Sequence, residues 1–275
     1  MGGIKIFYSI VLEMKALQPG VYLEFPGKKI HGFLFNAIKE ANEKLSQHVH
    51  DILDLKPFTV SPIFGTRYGG PTYIEEGKIY RIRATFLEDK LFEFFASKVM
   101  RDKILKNKLS IGAIEFLVNK VILDTSRSEW SSIFSPKYFL QENREFKTEI
   151  TLSFITPTLF RTGDLHLSNP NAEIMFSGLF NKFNKYSDLK LDESIAEKLK
   201  AINISKEDIK VRKVYFDKFY LQGFTGDVTF VVDESFKEDK ELLTAFNLLS
   251  EFSYYSGVGY KTTMGLGQVK VSKES

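Results

Sequence analysis

The apolar residues of this chain fall into runs of two kinds. Ile4 to Met14 is rich in Ile, Val, Phe and Tyr and predicts a strand, which Gln18-Pro19-Gly20 breaks. From Ile30 the apolar positions are Ile30, Phe33, Leu34, Ala37, Ile38, Ala41 and Leu45. That spacing predicts an amphipathic helix over 29–46. Phe58 to Phe64 and Lys78 to Phe86 predict strands, with a turn at Gly69-Gly70-Pro71 between them. Leu91, Phe94, Phe95 and Val99 share one face of a second helix at 89–101, and Ile111 to Leu123 predicts a further strand. The order is β-α-β-β-α-β, the ferredoxin-like arrangement.

After a polar, serine-rich stretch around Asp124 to Ser132 the same order returns. Glu145 to Ile155 predicts a strand, and Ile174, Leu179 and Phe183 mark a helix over 172–186. Segment 187–208 reads as an insertion with a small helix near 192–201. Ile209 to Leu221 and Phe224 to Val232 predict two strands joined tightly around Gln222-Gly223. Ser235 and Glu238 form a capping box that opens a helix over 236–255, with Leu242, Ala245, Phe246, Leu249 and Phe252 on its apolar face. A short strand, Gln268 to Val271, closes the unit. The pattern predicts an α+β protein of two tandem ferredoxin-like (RRM-like) domains. Residues 1–124 form the first, 125–145 a linker region and 146–275 the second.

Composition adds limits. The chain has 275 residues, 43% of them hydrophobic, which suits two domains with well-filled cores. No apolar run approaches the ~20 residues of a membrane helix. Met1-Gly2-Gly3 leads directly into a strand-like segment rather than a secretory signal. The absence of cysteine excludes disulfides and thiolate zinc sites and fits a reducing cytoplasm. A net charge of +3 means that any nucleic-acid binding must come from a local patch. Basic residues gather at Lys98, Arg101, Lys103, Lys106 and Lys108, and again at Lys210, Arg212, Lys213 and Lys218.

One stretch is unlike the rest. Gly257-Val258-Gly259-Tyr260-Lys261-Thr262-Thr263-Met264-Gly265-Leu266-Gly267 sets two G-x-G pairs around a basic, hydroxyl-bearing segment. Glycines at Gly257, Gly259, Gly265 and Gly267 allow positive φ and a close backbone approach to a ligand. Lys261, Thr262 and Thr263 supply donors suited to a phosphate. A P-loop is excluded, because Leu266 and Gln268 follow the last glycines where Lys-Ser/Thr is needed. A dinucleotide fingerprint is excluded too, because here a helix leads into the glycines and a strand leads out.

Four histidines are the candidate proton carriers: His31, His48, His50 and His166. His48 and His50 lie just past the predicted first helix, beside Asp51, Asp54 and Lys56. An H-x-H pair with carboxylates suits zinc, but no third ligand stands at a familiar spacing, so neither metal nor cofactor is expected. RNA carries its own nucleophile in the 2′-OH. Cutting it needs a base, an acid and a cation for the developing charge, and histidine with lysine supplies these without metal.

The glycine stretch before a terminal strand resembles the loop of the repeat-associated RNA-binding proteins of CRISPR systems, above all the endoribonucleases that cut CRISPR precursor RNA. Lys29-Ile30-His31-Gly32-Phe33-Leu34-Phe35-Asn36-Ala37-Ile38 is similar to that family's first helix, and Leu45 to Asp51 lies where the family places its catalytic histidine. Ser153 to Thr158 and Phe176 to Phe180 look like the opening of its second domain. The resemblance implies a metal-independent endoribonuclease that cuts once within repeat RNA and leaves a 2′,3′-cyclic phosphate and a 5′-OH. It matches His50 and Lys56 to catalytic positions. It places Phe35 where some members carry a tyrosine, which leaves His48 or His31 for the third role. Repeat RNA is the implied partner, and from the clustering of charge Lys210, Arg212 and Lys213 are candidate RNA contacts. Two rival readings remain open: a non-catalytic RNA-binding subunit among the other subunits of a CRISPR effector complex, and a ferredoxin-like pair unrelated to RNA.

Overall fold

The structure is a computed structural model that describes residues 5–52, 55–141 and 145–272. Met1 to Ile4, Asp54 and residues 142–144, all used in the sequence readings, lie outside the described residues.

The N-terminal half contains β1 (Phe7–Ala16), β2 (Gly20–Tyr22), α1 (Gly27–Ala41), α2 (Glu43–Asp51), β3 (Phe58–Val60), β4 (Thr72–Ile74), β5 (Ile79–Phe86), α3 (Asp89–Leu105), β6 (Lys108–Ile111) and β7 (Ile114–Ile122). Its main sheet runs β3-β5-β1-β7-β6, all antiparallel, while β2 and β4 pair separately. β1 is central because alternate residues serve two different surfaces. Ile10, Leu12 and Met14 meet Ile30, Leu34 and Ile38 of α1 and Leu91, Phe95 and Val99 of α3 in one buried core. Ser9 and Glu13 are buried on the other face.

After β8 (Ser132–Phe134) and α4 (Pro136–Gln141), the C-terminal half contains β9 (Glu149–Thr158), β10 (Phe160–Thr162), β11 (Leu165–Leu167), α5 (Ala172–Tyr186), α6 (Ser194–Lys198), β12 (Ile202–Phe216), β13 (Phe219–Val232), α7 (Lys240–Ser256) and β14 (Val269–Val271). Its sheet runs β12-β13-β9-β14. Each half therefore shows the ferredoxin-like strand order within a mixed helix and strand fold. Among the described residues no helix is long and apolar enough to cross a membrane.

Several local expectations are corrected. The helix expected over 29–46 is two helices, because Asn42 turns extended (φ −159°) and its side chain accepts from the Leu45 N–H to start α2. Strand 111–123 is a hairpin, β6 and β7, turned at Gly112 with φ +62°. Gln222-Gly223 is no turn: it lies inside β13, and the hairpin bends at Asp217-Lys218. Gly223 is needed there because a Cβ would come within 2.7 Å of the Thr158 carbonyl on β9. Helix α7 starts at Lys240 with Asp239 as its cap, accepting from Leu242 N–H; Ser235 belongs to a separate short 3-10 turn capped by Asp233.

The serine-rich stretch read as linker is packed. β8 pairs with the start of β1, and Trp130 stacks parallel on Tyr254 of α7 at 5.8 Å. The polar face of the N-terminal sheet meets the other half through Arg83, which is 1% exposed. Its guanidinium donates to Ser9 Oγ, Gln268 Oε1 and the Tyr254 carbonyl, and stacks on the Tyr254 ring at 3.9 Å. Gln268 returns bonds to Thr59 Oγ1 and the Val60 carbonyl. The residue directly after the glycine stretch is thus pinned across both halves.

Candidate active site

The glycine stretch leaves α7 and reaches β14 as a folded loop. Gly257, Gly259, Gly265 and Gly267 all have positive φ, as does Lys261 at +57°. Two of these glycines serve the loop's own packing. A Cβ on Gly267 would sit 1.9 Å from the Val258 carbonyl, and one on Gly259 2.3 Å from the Leu159 carbonyl. The N–H groups of Val258, Tyr260 and Gly267 donate to the carbonyls of Gly267, Leu159 and Pro157. These N–H groups hold the loop together and are committed within the protein. At the start of the loop, the buried Lys182 ammonium of α5 donates to the Ser256 carbonyl at 2.6 Å, and burial pulls its pKa down to about 7.

Loop residues expected to face a phosphate divide. Thr262 is buried beneath the loop, where its side chain packs at Gly257. The Lys261 ammonium lies 4.9 Å from the Tyr260 ring centre and 5.6 Å from that of Phe219, near the tip of the β12–β13 hairpin. Thr263 uses its carbonyl to hold His31. The basic group on β12 also divides: Lys213 lies 5.0 Å from the Tyr220 ring, while Lys210 and Arg212 alternate onto the opposite face. On and beyond α3, Lys98 is paired with Glu40 and Asp102, and Lys108 with Glu115.

His31 is the histidine that meets this loop. It sits on the flank of α1 beside the buried stripe, with Phe35 one turn on. Its ring lies 4.8 Å from Phe35 and 5.7 Å from Phe58, and its Nδ1 is 2.9 Å from the Thr263 carbonyl. A carbonyl only accepts, so Nδ1 carries the hydrogen and donates, which leaves the lone pair on Nε2. Burial holds the imidazole pKa below its ordinary value, the Thr263 bond works against this, and the charges of Lys56, Lys261 and His50 add to the lowering. As the fifth residue of α1, His31 owes little to the helix dipole, which acts within the first turn. Gly27, a residue the sequence reading passed over, fixes the approach: a Cβ there would meet the Met264 carbonyl at 1.8 Å. The Pro26-Gly27 pair at the helix start was its signal.

His48 and His50 lie on α2 rather than beyond a helix exit. Two residues apart on a helix they diverge by about 200°, so they do not form a joint metal site. His50 is exposed, with Nδ1 3.5 Å from Asp51 Oδ1 and its ring edge-on to Phe35 at 6.4 Å. Phe35 therefore contacts both the His31 and the His50 rings. Lys56 caps α2, donating to the carbonyls of Val49 and His50 at 2.7 and 2.8 Å, and burial lowers its pKa. An ammonium has three hydrogens, so one remains for a ligand. Lys56 and Lys182 line one groove of about 530 Å³ with Arg161, Tyr260 and the loop from Gly257 to Met264. His166 stacks on Tyr260 at 5.5 Å. Among the described residues no three His, Asp or Glu side chains gather as a metal site.

Residues 152–269 match the family model described as CRISPR-associated endoribonuclease Cas6. A Cas6 endoribonuclease of Mycobacterium tuberculosis (strain CDC 1551 / Oshkosh) is 27% identical over 146 residues, 52% of this chain and 43% of that protein. One from Streptococcus thermophilus is 24% identical over 135 residues, 48% of this chain and 54% of its own. The matched region spans about half the length of these relatives. A solved Cas6 product complex superposes with a TM-score of 0.82 at 22% identity, covering 98% of this chain and all of that one. Thermus thermophilus Cas6 superposes at 0.72 with 21% identity over 98% of this chain and all of its own. The resemblance drawn from the sequence to repeat-processing endoribonucleases is borne out, and the fold is theirs.

Proposed function

We propose that this chain is an endoribonuclease that cuts CRISPR repeat RNA through attack by the substrate's own 2′-OH. The observation that carries the reading is the bond between His31 Nδ1 and the Thr263 carbonyl of the glycine loop. It ties the imidazole to Thr263, a loop residue that lines the groove with Lys56, and leaves the Nε2 lone pair as the basic site. His31 Nε2 takes the proton from the 2′-OH. The oxygen attacks the adjacent phosphorus, and the P–O bond to the 5′-oxygen breaks. The products are a 2′,3′-cyclic phosphate and a 5′-OH, with no water consumed in the cut. Lys56 stabilises the charge that develops on the phosphoryl oxygens. His50, exposed and in ring contact with Phe35, returns a proton to the leaving 5′-oxygen. His48 has no role in this scheme.

The catalytic groups named are organic, so the reading expects cleavage to continue in EDTA. Repeat RNA from the source organism is incubated with the protein, with and without chelator, beside a substrate carrying a 2′-deoxy sugar before the cut. Cleavage of the ribose substrate in both conditions, with the deoxy substrate bound and whole, is the expected outcome. Cutting of the deoxy substrate, or activity lost to EDTA and restored by metal, contradicts the scheme.

A further inference from the structure

His166 and Arg161 have no part in the proton transfers above, yet both are built against the glycine loop. They lie directly opposite one another in the small β10–β11 hairpin, so their side chains share one face. The His166 ring stacks on Tyr260 at 5.5 Å with an interplanar angle of 26°. The Arg161 guanidinium lies 5.5 Å from the same ring, and its Nη1 donates to the Tyr260 hydroxyl at 3.3 Å. Arg161 Nε donates to the Gly163 carbonyl of its own hairpin turn at 2.8 Å, which fixes the fork, and Asp164 is 3.7 Å away. Tyr260 is itself anchored by its N–H to the Leu159 carbonyl at 2.8 Å. The loop, the hairpin and three polar or aromatic side chains thus form one braced unit.

The position of the unit matters as much as its composition. Tyr260 stands three residues before Thr263, whose carbonyl holds His31, and Tyr260 and Arg161 line the same groove as Lys56. His166 and Arg161 remain exposed, so the stack ends in a ring that faces solvent. An aromatic stack ending in a free face beside a cation suits a nucleobase with its phosphate, and only an unpaired base offers its own face. We propose that His166, Tyr260 and Arg161 form a stacking subsite for one unpaired nucleotide next to the scissile phosphate, with the base on the aromatic pair and Arg161 on its backbone. The proposal rests on the endoribonuclease reading and adds to it the state of the substrate. The strand beside the cut is single-stranded, and it is held by stacking rather than by base-edge recognition.

The test uses the full chain and repeat RNA in which each nucleotide flanking the cut is replaced in turn by an abasic residue. Stacking is worth roughly 1–3 kcal/mol per base, about 5- to 150-fold in affinity. Wild-type protein should lose affinity by that order at one flanking position. His166→Ala, an exposed change, and Tyr260→Leu should each lose affinity for intact RNA and become indifferent to the abasic replacement at that one position. Variants that stay as sensitive as wild type at every position overturn the subsite while the endoribonuclease reading stands. Wild-type protein that neither binds nor cuts the intact repeat RNA removes both.

Discussion

The two halves share a topology but differ at one connection. In the N-terminal half the chain passes from α3 to β6 through Lys106 and Asn107, with Lys106 left-handed at φ 54° as the helix cap. In the C-terminal half the chain leaves its second helix differently: α7 runs to β14, the counterpart of β7, through the 12 residues 257–268 and four left-handed glycines, with no edge strand like β6 in between. The short connection only ends a helix. The long one crosses toward α1, where the Met264 carbonyl meets Gly27 and the Thr263 carbonyl meets His31. The exit from the second helix is thus a plain turn in one half and a wall of the candidate site in the other. In the proposed scheme the proton-carrying side chain, His31, comes from the half that lacks the long loop.

The largest effect expected from breaking this contrast is at the loop glycines. Gly259→Val and Gly267→Val place a side chain into a backbone carbonyl at left-handed φ, a strain of at least ~1–3 kcal/mol. Both variants should melt lower and lose RNA binding and cleavage together. Gly112→Ala, also left-handed, meets only the flexible Lys29 side chain at 2.9 Å and should keep its activity. Thermal melts beside RNA titrations make the comparison. Normal binding by both valine variants would reduce the long loop to a turn like its counterpart.

A smaller effect concerns pH. His31 is half-buried with its folded pKa below the unfolded value of about 6.5, and its neutral form is the proposed base. As pH falls below ~6.5 the unfolded chain takes up a proton that the native chain does not. The stability this residue contributes is therefore present above that pH and is lost as pH falls through the folded pKa. On the acid limb of its pH profile the cleavage rate should drop only below the lowered His31 pKa. Urea unfolding at pH 7.5 and 5.5 should show a larger loss for wild type than for His31→Gln. Equal losses would mean that His31 is not held neutral by the loop contact.

The smallest effect sharpens the other side of the comparison. Lys106 holds a left-handed conformation that costs an L-residue roughly 1–2 kcal/mol. Lys106→Gly should raise the melting temperature slightly and leave cleavage unchanged, since that connection carries no chemistry. Lower stability would show that the Lys106 side chain contributes more than its backbone costs.

Much of this arrangement was legible in the sequence because the residues that build it are local. Period-two and period-3.6 runs located the elements, and their repeated order gave the fold class. Breaks without Gly or Pro were hidden: Ala41-Asn42-Glu43 carries no strong breaker, and only the Asn42 side chain bonding Leu45 N–H ends one helix and starts another. Gly223 misled for the opposite reason, since its glycine serves a close pass against β9 and not a turn. His31 was visible as a candidate, but its rank depended on a contact 232 positions away in the chain. Spacing favoured the nearby His48, His50 and Lys56, and a single sequence does not display which histidine a distant loop will meet.

The central claim is that the loop contact makes His31 the proton carrier. Single-turnover cleavage of repeat RNA by His31→Ala, His50→Ala and His48→Ala under one set of conditions tests it directly. The account predicts a loss of ~10²–10⁴ for His31→Ala with affinity nearly unchanged, a smaller loss for His50→Ala, and wild-type rate for His48→Ala. His31→Ala cutting at the wild-type rate while His50→Ala is inactive would contradict it and move the chemistry to α2.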